Sequence, residues 1–367
     1  MSQQAAVIAK EPVQGSLTEV ATIPIYEPSS KQIQIQTVAF AANPTDWKHI
    51  VYKQGVSGDL AGSDSAGVVT KVGSEVEGFQ VGDVVSTFSH GNFCKDRGNF
   101  AEYIIADPST TIKHANLKKE ALPVGSAPAG PIDTFEGAAS VTLGLSTVAL
   151  SIAGNLNVKS EDKGKYILIW GGATATGTLA IQVAKLGFGL KVVTVASKRH
   201  HEFLKSIGAD LVYDYNDSDV SEQIAKGTNG DIKYVFDTVS EKASFQAAYD
   251  AFKTAHGPVR VDNLLFLQEK DLEIDESVKK NFEIVNPTLA YCANGDEVTL
   301  FGGKFSSDKE TLARYNKFWN ETLPRILPQI KHTSLRVLKA GLESTNEAFE
   351  LLQSNSVSGE KVVFRLK

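Results

Sequence analysis

Tyr166-Ile167-Leu168-Ile169-Trp170 followed by Gly171-Gly172-Ala173-Thr174-Ala175-Thr176-Gly177 is the stretch on which the fold turns. Five apolar residues in a row read as a strand covered on both faces, as in a parallel sheet. The glycines then make a tight turn, and Thr178 to Leu186 reads as a helix with Gly187 at its C-terminal stop. Strand, glycine turn and helix together bring backbone N–H groups to a helix N-terminus, a place suited to the pyrophosphate of a dinucleotide. Counted back from Gly177, the G-x-G-x-x-G spacing is met at Gly172 and Gly177, with Thr174 at the middle position. Hydroxyls of Thr174 and Thr176 can donate to phosphate oxygens in compensation. Gly172, Ala173, Thr174, Ala175, Thr176 and Gly177 are therefore the candidate phosphate contacts. The plain alternative is a turn that only packs a helix on a sheet.

Downstream, strands Lys191 to Ala196, Leu211 to Tyr215 and Ile232 to Asp237 alternate with helices His200 to Ile207, Val220 to Lys226 and Ala243 to Phe252. Alternation through short loops predicts an α/β, doubly wound parallel sheet. The end of the second strand selects the nucleotide. An NAD site places a carboxylate there for the ribose 2′-OH. Here the chain reads Ser197-Lys198-Arg199-His200-His201, with no carboxylate before Glu202. Cationic side chains suit a 2′-phosphate, so NADP(H) is favoured over NAD(H), against the plain alternative of a solvated basic helix start.

Upstream, the sequence reads as β structure. Lys31 to Thr37 alternates apolar and polar residues, and Gly67 to Phe88 is rich in Val with Gly turns, which suggests a small barrel or two packed sheets. Ala121 to Pro131 concentrates Pro, Gly and Ala and reads as a linker, and Phe135 to Ile152 as a helix. Beyond Glu297 come a strand (VTLFGG), a helix near Leu312 to Leu323 and a last strand, KVVFRL, placed to complete the N-terminal β domain.

Composition bounds the rest. A chain of 367 residues suits two or three domains. Lys+Arg 37 against Asp+Glu 43 leaves a net charge of -6, which offers no general attraction to nucleic acid or an anionic membrane; neither is expected as a partner. Gly137 to Val158 carries no charge and is long enough to span a bilayer, but its Ser, Thr, Asn and Gly residues favour a buried helix. Cys94 and Cys292 are the two cysteines, too few for a disulfide framework or a four-thiolate zinc knot. Lys10 and Glu11 precede any long apolar run, unlike a secretory signal, so a cytoplasmic location is expected.

Several separated motifs resemble the medium-chain dehydrogenase/reductase superfamily. Asn43-Pro44-Thr45-Asp46-Trp47-Lys48 is similar to the NPxDxK motif of its zinc-free quinone oxidoreductase and enoyl reductase branches. Gly62 to Val85 resembles the superfamily's catalytic-domain signature. GGATATGT, GADLVYDY and VSGEKVVFRL resemble fungal trans-enoyl reductases and alcohol-dehydrogenase-like proteins. The resemblance implies a GroES-like β-barrel catalytic domain built from residues 1–132 and 297–367, around a Rossmann cofactor domain of residues 133–296. Zinc-using members carry a Cys ligand where this chain has the NPTDW segment, and Gly-His-Glu where it has Gly62-Ser63-Asp64. No zinc is expected, and His49 and His90 read as surface or packing residues.

The function so implied is NADPH-dependent hydride transfer to a small conjugated carbonyl, an enoyl, enone or quinone. Its rivals are an NAD(P)H-dependent aldehyde reductase or alcohol dehydrogenase and a catalytically silent nucleotide-binding regulatory protein. Lys48 is the first candidate for polarising the carbonyl, with Tyr52 and Thr142 as further donors. Asp46 reads as the N-cap of the helix that starts near Lys48, and Trp47 as a wall of the pocket; these two and Pro44 are candidate cofactor neighbours. Tyr215 is expected against the adenosine, Leu264 and Leu265 near the nicotinamide, and Val357 and Ser358 as cofactor contacts from the C-terminal segment. The oligomeric state is left at monomer or homodimer.

Overall fold

The computed structural model describes residues 1–285 and 288–367. It divides into two units, Met1–Gly144 with Tyr291–Ser306 and Lys331–Lys367, and Leu145–Ala290 with Ser307–Ile330.

The second unit is built on a six-stranded parallel sheet in the order Leu211–Tyr213, Lys191–Val195, Tyr166–Trp170, Ile232–Asp237, Val259–Asn263, Phe282–Ile284. Numbered along the chain, that order is 3-2-1-4-5-6, the dinucleotide-binding arrangement. The unbroken apolar run has its expected cause: Ile167, Leu168 and Ile169 are wholly buried, covered from both faces. Leu168, Val193, Val235 and Val261 from four neighbouring strands share one core with Phe245, Tyr249 and Phe252 from the helix Lys242–Phe252.

Three segments lie in a different unit from the one their sequence suggests: residues 133–144 and 291–296 fall in the first unit, and residues 307–330 in the second. Residues 307–330, expected with the C-terminal part of the catalytic domain, belong to the second unit. The helix Lys309–Lys317 and its continuation supply the reason. Tyr315 is fully buried with its hydroxyl 3.0 Å from Ser146 Oγ, Phe318 stacks on Phe188 at 5.6 Å, and Arg314 Nε donates to the Gly154 carbonyl.

The first unit is a curled, mainly antiparallel sheet. Its strands run Thr111–Lys113, Val84–Phe88, Asp64–Val72, Ile33–Ala41, Glu360–Arg365, Ser334–Val337, Gly125–Ala127, and Tyr103–Ala106 also pairs with Ile33–Ala41. The last strand does return, pairing antiparallel with Ala39–Ala41. Alternation in Ile33–Thr37 buries Ile33 and Ile35 and exposes Gln36; Gln34 is also buried, its amide donating to Tyr26 O and accepting from Thr70. Phe40, Phe100 and Phe364 meet at 5.2–5.3 Å between ring centres and anchor the core. Ser2–Val13 and Ser16–Pro24 form a long antiparallel hairpin, and Val298–Leu300 with Gly303–Phe305 a short one. The expected linker carries two short strands, Gly125–Ala127 and Gly130–Pro131.

Phe135–Asn155 is one helix long and apolar enough to cross a membrane by length and composition, and 89% of its most apolar window is buried inside protein.

Candidate active site

In the second unit the predicted cofactor residues gather at one edge of the sheet. The glycine turn follows Tyr166–Trp170, Ser197–His200 follow Lys191–Val195, Tyr215 follows Leu211–Tyr213, and Leu264–Leu265 follow Val259–Asn263. All are carboxyl ends of parallel strands, the edge on which open α/β sheets bind ligands. The strands before and beside the turn, Tyr166–Trp170 and Ile232–Asp237, are adjacent though far apart in sequence, which makes this the topological switch point.

The turn is closely packed. Gly171 has φ +83, and a Cβ there would meet Val239 at 2.6 Å. A Cβ on Gly172 would lie 2.2 Å from Thr194 Oγ1, and one on Gly177 2.2 Å from the Gly171 carbonyl oxygen. The helix Ala175–Gln182 can therefore approach its strand only with glycine at 177. Thr174 caps this helix: its Oγ1 accepts from Gly177 N at 2.9 Å and pairs with Thr238 Oγ1 at 3.0 Å. First-turn N–H groups such as those of Ala175 and Thr176 have no carbonyl within their own helix and remain donors for an anion.

Lys198 and Arg199 are exposed in a short turn that starts after Ser197. Burial and the neighbouring Arg199 push the His200 imidazole down. His201, passed over as a contact, meets the Ala196 carbonyl at 2.8 Å through Nε2 and so fixes the turn. Tyr215 and Leu265 are half exposed. Leu264 N donates to Ser240 Oγ, and Asn263 Oδ1 accepts from the N–H groups of Leu265 and Leu267, folding that loop.

The first unit carries a second, more buried arrangement around the helix Pro44–Val51. Asp46, its third residue, is fully buried and accepts from Asn43 N (2.8 Å), Ser63 Oγ (2.6 Å) and Asn92 Nδ2 (2.9 Å). Burial nevertheless raises its carboxyl to about 6. Ser63 Oγ also lies 3.0 Å from the Tyr291 hydroxyl, which lies 3.4 Å from Thr45 Oγ1; Thr45 in turn meets His49 Nε2 at 3.0 Å. Burial holds His49 down at about 4, and it pushes the Tyr291 hydroxyl up strongly. Phe93, His90 and Phe88 ring Tyr291 at 5.2, 5.4 and 6.2 Å. Beside this chain, Asp64 is also fully buried, accepting from Asn43 Nδ2 and Leu143 N, with the Lys361 ammonium 3.5 Å away.

The remaining candidates fall around these residues. Lys48 is half-buried with its ammonium 5.8 Å from the centre of the Trp47 ring. Pro44 is exposed at the first helical position, and Tyr52 is exposed at the helix end with its ring 6.2 Å from Phe301. Trp47 and Val357 pack against the same phenylalanine core, and Ser358 is exposed. Thr142 is fully buried; its hydroxyl donates to Ser86 Oγ, which meets His114 Nε2 at 2.8 Å.

Sequence reading missed Tyr291, Ser63 and Lys361 as members of the cluster. Ser63 lies in the Gly62-Ser63-Asp64 segment, notable only for its missing His, and Lys361 in VSGEKVVFRL, where nothing local marks it as the partner of a buried carboxylate. Tyr291 had no signal at all.

Residues 29–116 match the alcohol dehydrogenase GroES-like domain family and residues 175–290 the zinc-binding dehydrogenase family. The chain belongs to the medium-chain dehydrogenase/reductase superfamily. An uncharacterised protein of Saccharomyces cerevisiae is 36% identical, covering 93% of this chain and 95% of its own length. A trans-enoyl reductase of Cochliobolus carbonum is 34% identical over 82% of this chain and 93% of its own. In fold, the quinone oxidoreductase of Coxiella burnetii superposes with a TM-score of 0.66 at 24% identity, each chain covered in full. Membership makes the protein an NAD(P)H-dependent oxidoreductase.

A zinc-binding family name calls for a test of the donors. Among the described residues no three His, Cys, Asp or Glu side chains come together as a metal site requires. Asp64 is instead occupied by an amide and an ammonium, and burial raises the thiols of Cys94 and Cys292 to about 11. The donor set does not fit a catalytic zinc.

Proposed function

We propose that this protein is an NADPH-dependent reductase of conjugated carbonyl compounds that works without zinc. The observation that carries the reading is the cationic turn Lys198–Arg199 at the end of the strand beside the glycine turn, where an NAD site would offer a carboxylate. The donors around the turn fit a 2′-phosphorylated dinucleotide: N–H groups of Ala175 and Thr176 for the pyrophosphate, and Lys198 and Arg199 for the 2′-phosphate. When bound, such a cofactor supplies the hydride.

The protein's own residues position the substrate and manage its proton. Hydride arriving at the β carbon of an enone leaves negative charge on the carbonyl oxygen, which a donor such as Lys48 would stabilise. The α carbon then needs a proton. Thr45, half-buried, is the outermost hydroxyl of the Asp46–Ser63–Tyr291–Thr45 chain. It can give up its proton and recover one from Tyr291, which draws on Ser63 and finally on the Asp46 carboxyl. A carboxyl raised to about 6 holds that proton more readily near neutrality than an ordinary aspartate.

Titrating NADPH and NADH by fluorescence tests the cofactor reading. Replacing Lys198 and Arg199 together by Ala should weaken NADPH about 10- to 100-fold, as expected for losing one or two charge-assisted bonds, and NADH by less than about threefold. Equal losses for the two nucleotides would remove the 2′-phosphate argument. Panels of enones and of aldehydes, followed by NADPH oxidation, then decide the substrate. Turnover confined to aldehydes would favour the alcohol-dehydrogenase alternative.

A further inference from the structure

We propose that a groove on the first unit, between the N-terminal hairpin and the helix Pro44–Val51, binds the chain of a free long-chain carboxylate with its head between Lys10 and Lys53. The groove is an open depression of about 860 Å³. Ile8, Leu17, Trp47 and Ile50 line it. Val13, Val51 and Val56, also in its wall, are 59%, 43% and 69% exposed. Three large aliphatic side chains left in water around one depression make an apolar surface that gains from being covered.

The charges choose the sign of the ligand. The lining holds two lysines, Lys10 and Lys53, and no carboxylate, in a chain whose net charge is -6. Glu11, next to Lys10 on the strand Ser2–Val13, is not among the residues that line the groove. Lys53 has φ +54, a left-handed conformation uncommon for a residue with a side chain. The loop it begins is held in place: a Cβ on Gly55 would lie 2.1 Å from the Asn92 carbonyl oxygen. An aliphatic bed with two ammonium groups and no carboxylate among its lining residues, the nearby Asp59 being engaged by Val56 N, fits an anion with a single apolar tail. It disfavours a cation of the same length.

No residue assigned to hydride or proton transfer lines the groove, although Trp47 adjoins Lys48 on the same helix; binding is measured without turnover, so this inference and the reductase reading fail separately. Trp47 supplies a reporter, since the other two tryptophans, Trp170 and Trp319, are buried in the second unit. The protein is titrated with dodecanoate below its micelle concentration, following tryptophan fluorescence and, in parallel, heat. A saturable change is expected. In Trp47→Phe the optical signal should vanish while the heat of binding remains. The paired exchange Lys10→Glu with Lys53→Glu lies on the surface and should weaken dodecanoate at least about tenfold with Tm unchanged. Dodecyltrimethylammonium binding as tightly as dodecanoate would overturn the proposal, as would an unaltered affinity in the paired variant or the lack of saturation. Co-sedimentation with phosphatidylserine vesicles that dodecanoate does not compete away would also overturn it, in favour of a membrane surface.

Discussion

The glycine turn of the second unit and the buried polar cluster of the first were assembled in opposite ways. Gly171 to Gly177 are consecutive, and their neighbours Ser197 to His200 lie one strand further on. The cluster instead draws Asn43 and Asp46, Ser63 and Asp64, Asn92, Tyr291 and Lys361 from five stretches of chain. A backbone cradle for phosphate depends on local conformation, which adjacent residues can encode. A buried network of carboxylates and hydroxyls depends on tertiary closure, because each polar atom must find its partner wherever the fold puts it.

That contrast is sharpest at Lys361, where the largest effect is expected. Its ammonium lies beside Asp64 and donates to Asn43 Oδ1, all in a region nearly closed to water. Replacing Lys361 by Met leaves a buried carboxylate without its cation, at a cost of about 3–5 kcal/mol in urea unfolding. Adding Asp64→Asn should recover a large part of that loss. If Lys361→Met alone costs less than about 1 kcal/mol, the cluster is not held by this pair, and its contrast with the turn weakens.

The buried carboxylate of the second unit provides the next comparison. Asp262 is also fully buried, but it is served by the Thr288 hydroxyl and Asn263 N, with no cation among the groups that lower its pKa. Burial therefore prevails and raises its carboxyl to about 7, against 3.8 for the free residue. The folded state then holds a proton that the unfolded state has released between those values. Stability falls as pH rises from about 4 to about 7 and is level, on this account, above that. Unfolding by urea at pH 5 and pH 7.5 should show a decline that Asp262→Asn reduces by about 2–3 kcal/mol. An unchanged slope in the variant would mean that Asp262 stays ionised and is better solvated than its burial indicates.

These two carboxylates also mark how far the sequence could be read. Strand-helix alternation pointed to a doubly wound parallel sheet, and KVVFRL to a strand returning to the first unit, but the order of the six strands and the edge strand Phe282–Ile284 were not legible. Asp46 announced a helix start, but the N-cap is Asn43, and Asp46, at the third helical position, accepts from the Asn43 N–H instead. What was hidden is what only packing decides. Tyr291 joins Ser63 across more than two hundred residues, and no local pattern distinguishes it from any other buried tyrosine. The helix that begins at Lys309 carries no pattern that names its unit, and only the partners of Tyr315 and Phe318 assign it.

The smallest expected effect lies at Thr174, where the sequence departs from the glycine pattern. Its hydroxyl accepts from Gly177 N and so performs a capping job that glycine at that position leaves to water. Thr174→Ala should cost about 1 kcal/mol of stability, because the donor loses its partner, while Thr174→Gly should cost only a few tenths. Cofactor affinity should move by less than about threefold in Thr174→Gly. The added backbone freedom and lost hydroxyl act against the closer approach that glycine permits. A tenfold gain in NADPH affinity in that variant would mean that the Thr174 side chain obstructs the phosphate rather than ordering the turn that receives it. The local site would then be as dependent on a distant partner, Thr238, as the buried cluster is on Lys361.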